Sequence, residues 1–188
     1  MTARWVVDEV LPARDINVTW QPISLLFKNN PEDPERRVGP EFTHNLLRVL
    51  ESVRETEGEL AVQTLYWEYG RRIHHDRNRD FTAAEALRAV GFDESHAAAF
   101  DDEGRDDEIR RRMDRGLELA GDNIGTPIIA VDNEHGERVA LFGPVITRVP
   151  DTELSLRLWD GFVFMATVPG FWELKRTRTE RPEVGERP

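Results

Sequence analysis

Apolar residues recur every three or four positions from Pro40 to about Gly121, and this helical block is bracketed by segments with the shorter periods of strands. That switch constrains the fold more than any other feature. A chain that leaves strand-like sequence, builds a run of helices and returns to strands is predicted to be an α/β protein with a helical insertion. Within the block, Phe42, Leu46, Val49, Leu50 and Val53 trace one helix, and Leu60, Val62, Leu65, Tyr66 and Tyr69 a second that continues toward Ile73. Asn78 to Asp80 is a turn. Thr82 with Glu85 has the capping-box spacing, Gly91 ends that helix, and Asp93 can cap a short one. An acidic turn from Asp101 to Asp107 leads into a helix from Ile109 to Ala120.

Before the block, Trp5, Val6, Val10 and Leu11 give a helical stripe over Thr2 to Ala13, closed by Pro12. Residues 16–23 then alternate apolar and polar and predict a strand, and Asn29 to Pro34 reads as a loop. After the block, Thr126 to Val131 is a short apolar run consistent with a buried strand. Asp132 to Gly136 makes a turn into a second strand over Arg138 to Phe142, so a hairpin is predicted, broken by Gly143-Pro144. A helix opens at Asp151 or Thr152 and carries Leu154, Leu158, Phe162 and Met165. Beyond Arg176 the charged tail is expected to be extended or frayed, and no internal repeat is present.

Composition narrows the function classes. The net charge of -11 over 188 residues argues against nucleic acid, which needs a basic footprint, and against anionic membrane surfaces. No apolar run approaches the roughly 20 residues of a membrane span. Met1-Thr2-Ala3-Arg4-Trp5, followed by Asp8 and Glu9, does not resemble a secretory leader, so a cytoplasmic location is expected. There are 0 cysteines, which removes disulfides, thiolate metal sites and a cysteine nucleophile from this chain.

Several strings carry a resemblance. They are Thr2-Ala3-Arg4-Trp5-Val6-Val7, Arg72-Ile73-His74, Gly121-Asp122-Asn123-Ile124-Gly125-Thr126-Pro127, Phe142-Gly143-Pro144-Val145, Leu158-Trp159-Asp160-Gly161 and Glu173-Leu174-Lys175-Arg176-Thr177-Arg178-Thr179. In that order, and over nearly the whole chain, they resemble the DsbA-like mycothiol-dependent nitroreductase family. The resemblance implies a thioredoxin-like α/β fold of the DsbA or kappa-class glutathione transferase type. Its core would be residues 1–28 and 122–188, and its helical insertion residues 29–121. It also implies a first strand leading into a Cys-Pro-x-x turn at the start of the first helix, where the helix N-terminus stabilises a thiolate. In this sequence Met1 falls after that turn, so the first strand and the nucleophile are missing and the chain as written is expected to be inactive. Two origins fit: a reading frame or chain begun late, or a cysteine-free protein that has lost catalysis and only binds. The first is favoured, because a sheet rarely discards a central strand.

The resemblance further implies that Thr126 and Pro127 are substrate-binding, with a cis Thr126–Pro127 bond opposite the active-site turn, although trans is the ordinary state of such bonds. It implies no resident cofactor, with mycothiol or a similar small thiol as co-substrate and a small thiol or disulfide as partner. A homodimer is possible in this reading. In kappa-class transferases a hydroxyl near the first helix activates the thiol, and Thr2 sits close to that place. The family's histidine pair before the Gly-Asp string is replaced by Met113-Asp114-Arg115-Gly116, which puts the nitroreductase activity in question. His74 and His75, with Asp76 nearby, do not form a chelate, since adjacent helical residues diverge. No metal site and no catalytic residue is assigned. Asp101 to Glu108 reads as a solvated helix start without calcium-loop spacing. Trp5, Trp20, Phe27, Trp159 and Phe171 are candidate pocket aromatics, with core packing as the commoner role.

Overall fold

A computed structural model of the protein describes residues 1–185; residues 186–188, the end of the charged tail, lie outside the described residues. Its helices are α1 (Thr2–Arg4), α2 (Leu25–Asn29), α3 (Pro34–Glu57), α4 (Glu59–Gly70), α5 (Ala83–Ala89), α6 (Asp106–Ala120) and α7 (Thr152–Thr167). The strands are β1 (Ile128–Asp132) and β2 (Arg138–Phe142). Wider π-type turns continue α1 over Trp5–Val10 and α4 over Arg71–His75, and 3₁₀ segments cover Glu94–Asp101 and Glu103–Arg105. The protein is therefore mixed α/β and mostly helical, with one two-stranded sheet among the described residues. None of the described helices is long and apolar enough to cross a membrane. The chain divides into two units, one of Met1–Val18 with Arg115–Val184, the other built on Thr19–Asp114.

In the first unit β1 and β2 pair antiparallel, with Ile128 opposite Phe142, Ala130 opposite Ala140 and Asp132 opposite Arg138. Asn133 closes the hairpin: its side-chain oxygen accepts from the backbone N–H groups of His135 and Glu137, and Gly136 takes the positive φ of 76° that the turn demands. Trp5, Val6, Val10 and Trp159 form the core, and Ile129, Val131, Ile146 and Leu158 pack on it. β1 is half-buried along most of its length rather than fully buried, because it has one strand neighbour and one covered face. The tail past Arg176 has no regular structure but is tied down: Glu183 donates its N–H to the Thr147 carbonyl at 2.7 Å, and Arg4 donates to the Val184 carbonyl at 2.8 Å.

In the second unit Leu46, Val49, Leu50 and Val53 of α3 face Ala61, Val62, Leu65 and Tyr69 of α4, and Phe81, Ala86 and Leu87 complete the core. Gly58, at φ 82°, breaks the chain between α3 and α4. Two carboxylates are buried, and each is paired with arginines: Glu51 with Arg54 and Arg112, Glu68 with Arg71 and Arg72. Burial opposes the charge on Glu68, but the two guanidiniums outweigh it and hold its carboxyl below the ordinary range. Thr82 and Glu85 form the capping box, each side chain bonding the other's backbone N–H. Thr82→Ala is expected to lower stability by about 1 kcal/mol, read from the urea midpoint.

Three expectations are corrected. Residues 16–23 form no strand, although burial alternates along them as a strand's would, Ile16, Val18 and Trp20 in and Asn17, Thr19 and Gln21 out. Side-chain contacts replace the ladder there: the Trp20 carbonyl accepts from Arg54 at 3.0 Å. Helix α3 starts at Pro34, not at Pro40, because Asp33 caps it by accepting from the Glu35 N–H and Pro34 sits where its missing N–H costs nothing. Pro40 is carried inside the helix. The first helix ends in the Trp5–Val10 turns, short of Ala13, where Ala13 and Arg14 both donate to the Val10 carbonyl. Within the unit of Thr19–Asp114, α2 packs on α3.

Candidate functional site

Three segments of the first unit converge at the start of α1. Thr2 is buried and its hydroxyl donates to the Pro144 carbonyl at 2.7 Å. Gly143 in turn donates its N–H to the Pro127 carbonyl at 2.8 Å. The bonds Thr126–Pro127 and Gly143–Pro144 are both cis. Close approach here depends on glycine. A Cβ on Gly125 would lie 3.2 Å from the Phe142 ring, and one on Gly143, at φ 99°, would lie 3.2 Å from the Val145 nitrogen. Thr126 is exposed and Pro127 half-buried; Phe142 is 40% and Val145 47% exposed. The result is a backbone surface at Gly125-Thr126 with an apolar rim.

The helix beside it is held firmly. The Trp5 indole N–H donates to the Ser155 carbonyl at 3.2 Å, and the Trp5 and Trp159 rings lie 5.9 Å apart. Arg14 forks both oxygens of Asp160 at 3.0 and 2.7 Å, which holds the Asp160 carboxyl below its ordinary range. Thr2 has one hydroxyl proton, and the Pro144 carbonyl takes it.

The other residues singled out by sequence fall elsewhere. His74 and His75 lie in the π-type turn after α4, and no group of three or more potential metal ligands exists among the described residues. Trp5 and Trp159 belong to the first unit's core. Trp20 packs with Tyr66 and Trp67, and Phe27 with His44, both in the second unit, while Phe171 is half-buried beyond α7. Met113 is a buried core residue.

Sequence reasoning missed one polar cluster. His44, 1% exposed, contacts the Ser24 hydroxyl through Nδ1 and Asp106 through Nε2, both at 3.0 Å. Arg48 forks Asp106 at 2.6 and 2.8 Å. Asp106 belongs to the acidic run whose sequence reads as solvated, yet it turns inward onto His44 and Arg48. The available signal was the i,i+4 spacing of His44 and Arg48 on the apolar side of α3.

Comparison with known proteins gives the context. The sequence profile of the Rv2466c-like family, described as mycothiol-dependent nitroreductase Rv2466c, matches residues 1–176. The uncharacterized protein Rv2286c of Mycobacterium tuberculosis (strain ATCC 25618 / H37Rv) is 27% identical over 188 residues, covering 95% of this chain and 76% of that protein. The chain belongs to the Rv2466c-like family of mycothiol-dependent nitroreductases.

Proposed function

We propose that these residues form the thiol-recognition part of a DsbA-type, mycothiol-dependent oxidoreductase and, as given, bind a small thiol or disulfide without reacting with it. The observation that carries the reading is the convergence of Thr126–Pro127, Gly143–Pro144 and the start of α1 in a chain with 0 cysteines. In this reading the first unit is the thioredoxin-like core and the second is the helical insertion. Two features support a core whose sheet wants a further strand. Residues 16–23 have alternating burial but no ladder partner among the described residues, and β1 has one unpaired edge. A cytoplasmic location, where small thiols are kept reduced, belongs to the same proposal.

Disulfide reduction moves two electrons and two protons from a pair of thiols. A thiolate attacks one sulfur of the disulfide, the other leaves as thiolate, and a second thiol resolves the mixed disulfide. A protein sulfur for the first step has to come from outside these 188 residues. What remains here is recognition, through the exposed backbone at Thr126 and the rim of Phe142 and Val145. The commitment of the Thr2 proton to Pro144 favours the DsbA type over the kappa type, in which such a hydroxyl would have to serve the thiol. The specific observation behind a purely binding protein is the same lack of cysteine, and at this site the two readings share one test. Mycothiol disulfide titrated into the isotope-labelled chain is expected to shift the amides of Gly125, Thr126, Gly143 and Val145. Shifts confined to other segments, or none at saturating ligand, would remove the proposal.

A further inference from the structure

The Ser24, His44 and Asp106 cluster of the second unit has a hydrogen-bond count that closes in one protonation state only. Ser24 is 1% exposed and caps α2, its hydroxyl oxygen accepting the Phe27 N–H at 3.1 Å. That leaves the hydroxyl proton to be given to His44 Nδ1, 3.0 Å away. The ring must then carry its own proton on Nε2, which donates to Asp106 Oδ1. Asp106 is also held by both arms of the Arg48 fork, so every polar atom has a partner while the imidazole is neutral.

Adding a proton at Nδ1 breaks the count. The ring nitrogen becomes a donor, the Ser24 oxygen must take it on its second lone pair beside the Phe27 N–H, and the Ser24 hydroxyl proton loses its acceptor between two buried side chains. The charges around the ring add to this. α6 presents Asp106 and Arg110, the latter with its guanidinium 3.9 Å from the centre of the Phe27 ring; that ring lies 4.4 Å from His44. α3 presents Arg48, on which Asp101 and Glu103 also act, and α2 carries one titratable side chain, Lys28 in its last turn. An imidazolium would share the Asp106 carboxylate with the Arg48 guanidinium and would also face the positive charge of Arg110.

We propose that Ser24, His44 and Asp106 are a proton-operated latch that holds the α2 turn closed while His44 is neutral and releases it when His44 is protonated. Burial pushes His44 below the ordinary histidine value, and Arg48 and Arg110 add to it; Asp106 pulls the other way without reversing it. The folded pKa is therefore the depressed one, and opening takes up a proton. The latch is fully closed above the ordinary value of about 6.5 and weakens as pH falls from there toward the folded value. Asp106 acts separately and lower. Burial opposes its charge, Arg48 and His44 outweigh that, and its contribution is lost only as pH falls through its own depressed value.

The reporters are the α2 amides that Ser24 and Leu26 hold, those of Phe27, Lys28 and Asn30. Hydrogen exchange at these three, corrected for the intrinsic effect of pH, is expected to quicken by up to about tenfold over the first pH unit below the ordinary histidine value. His44→Gln is expected to remove that dependence. A direct titration of the His44 ring in the unaltered chain decides the matter if the variant does not fold, with a midpoint below the ordinary value expected. A midpoint at or above it, α2 exchange indifferent to pH, or the same acceleration in His44→Gln would overturn the latch.

Discussion

Trp5→Ala is expected to cost the first unit about 3–5 kcal/mol, enough to leave it largely unfolded. Trp5 is 0% exposed and is one of two tryptophans in a core of few buried residues, Val6, Val10 and Trp159 being the others. Truncation opens a cavity beside Trp159 and strands the Ser155 carbonyl that accepts the indole proton. A sheet of two strands has little else to lean on, since a hairpin alone is marginal in water. The loss should appear as collapsed amide protection across Ile128–Asp132, while the α3 and α4 amides of the second unit stay protected. Trp5→Phe keeps most of the ring volume and is expected to cost less, about 1–3 kcal/mol from the orphaned carbonyl. Unchanged protection of β1 in Trp5→Ala would show that the helix at the chain start is not what the sheet rests on.

Local signals in this sequence translated well into structure, and signals that depend on distant partners did not. Thr82 and Glu85 lie within one turn of each other, and their capping box forms as the spacing predicts. The hairpin around Asn133 and the helix from Thr152 follow from equally short-range patterns. Residues 16–23 show the limit of such reading. Alternation records which side chains face a core, and it held residue by residue, whereas a strand also needs a neighbour's backbone, on which a single segment carries no information. The apolar periodicity begins only at Pro40, and proline removes a helical hydrogen bond; the cap at Asp33 and the buried face from Leu46 to Val53 outweigh that loss. Asp106 is one acid among several in its run, and only packing against His44 and Arg48 distinguishes it from its solvated neighbours. At the candidate site the Gly-Thr-Pro string was legible. The role of Gly143-Pro144, which composition marks only as a break, was not, because its bonds to Thr2 and Pro127 span distant parts of the chain.

The second large effect is catalytic. Supplied with mycothiol and a disulfide or nitroaromatic acceptor, the purified 188-residue polypeptide is expected to show no turnover above the reagent blank. The nearest sulfurs in the chain are the thioethers of its 3 methionines, which have no proton to lose and form no mixed disulfide. Hydroxyls such as that of Thr2 are poor nucleophiles without an activating base, and Thr2 is engaged with Pro144. Binding and reaction should therefore separate: ligand-induced shifts at Gly125 and Thr126, with the acceptor left intact. The turnover assay tests this most directly. A rate indistinguishable from the blank at every protein concentration is the expected result, and acceptor reduction that rises in proportion to the polypeptide would contradict it.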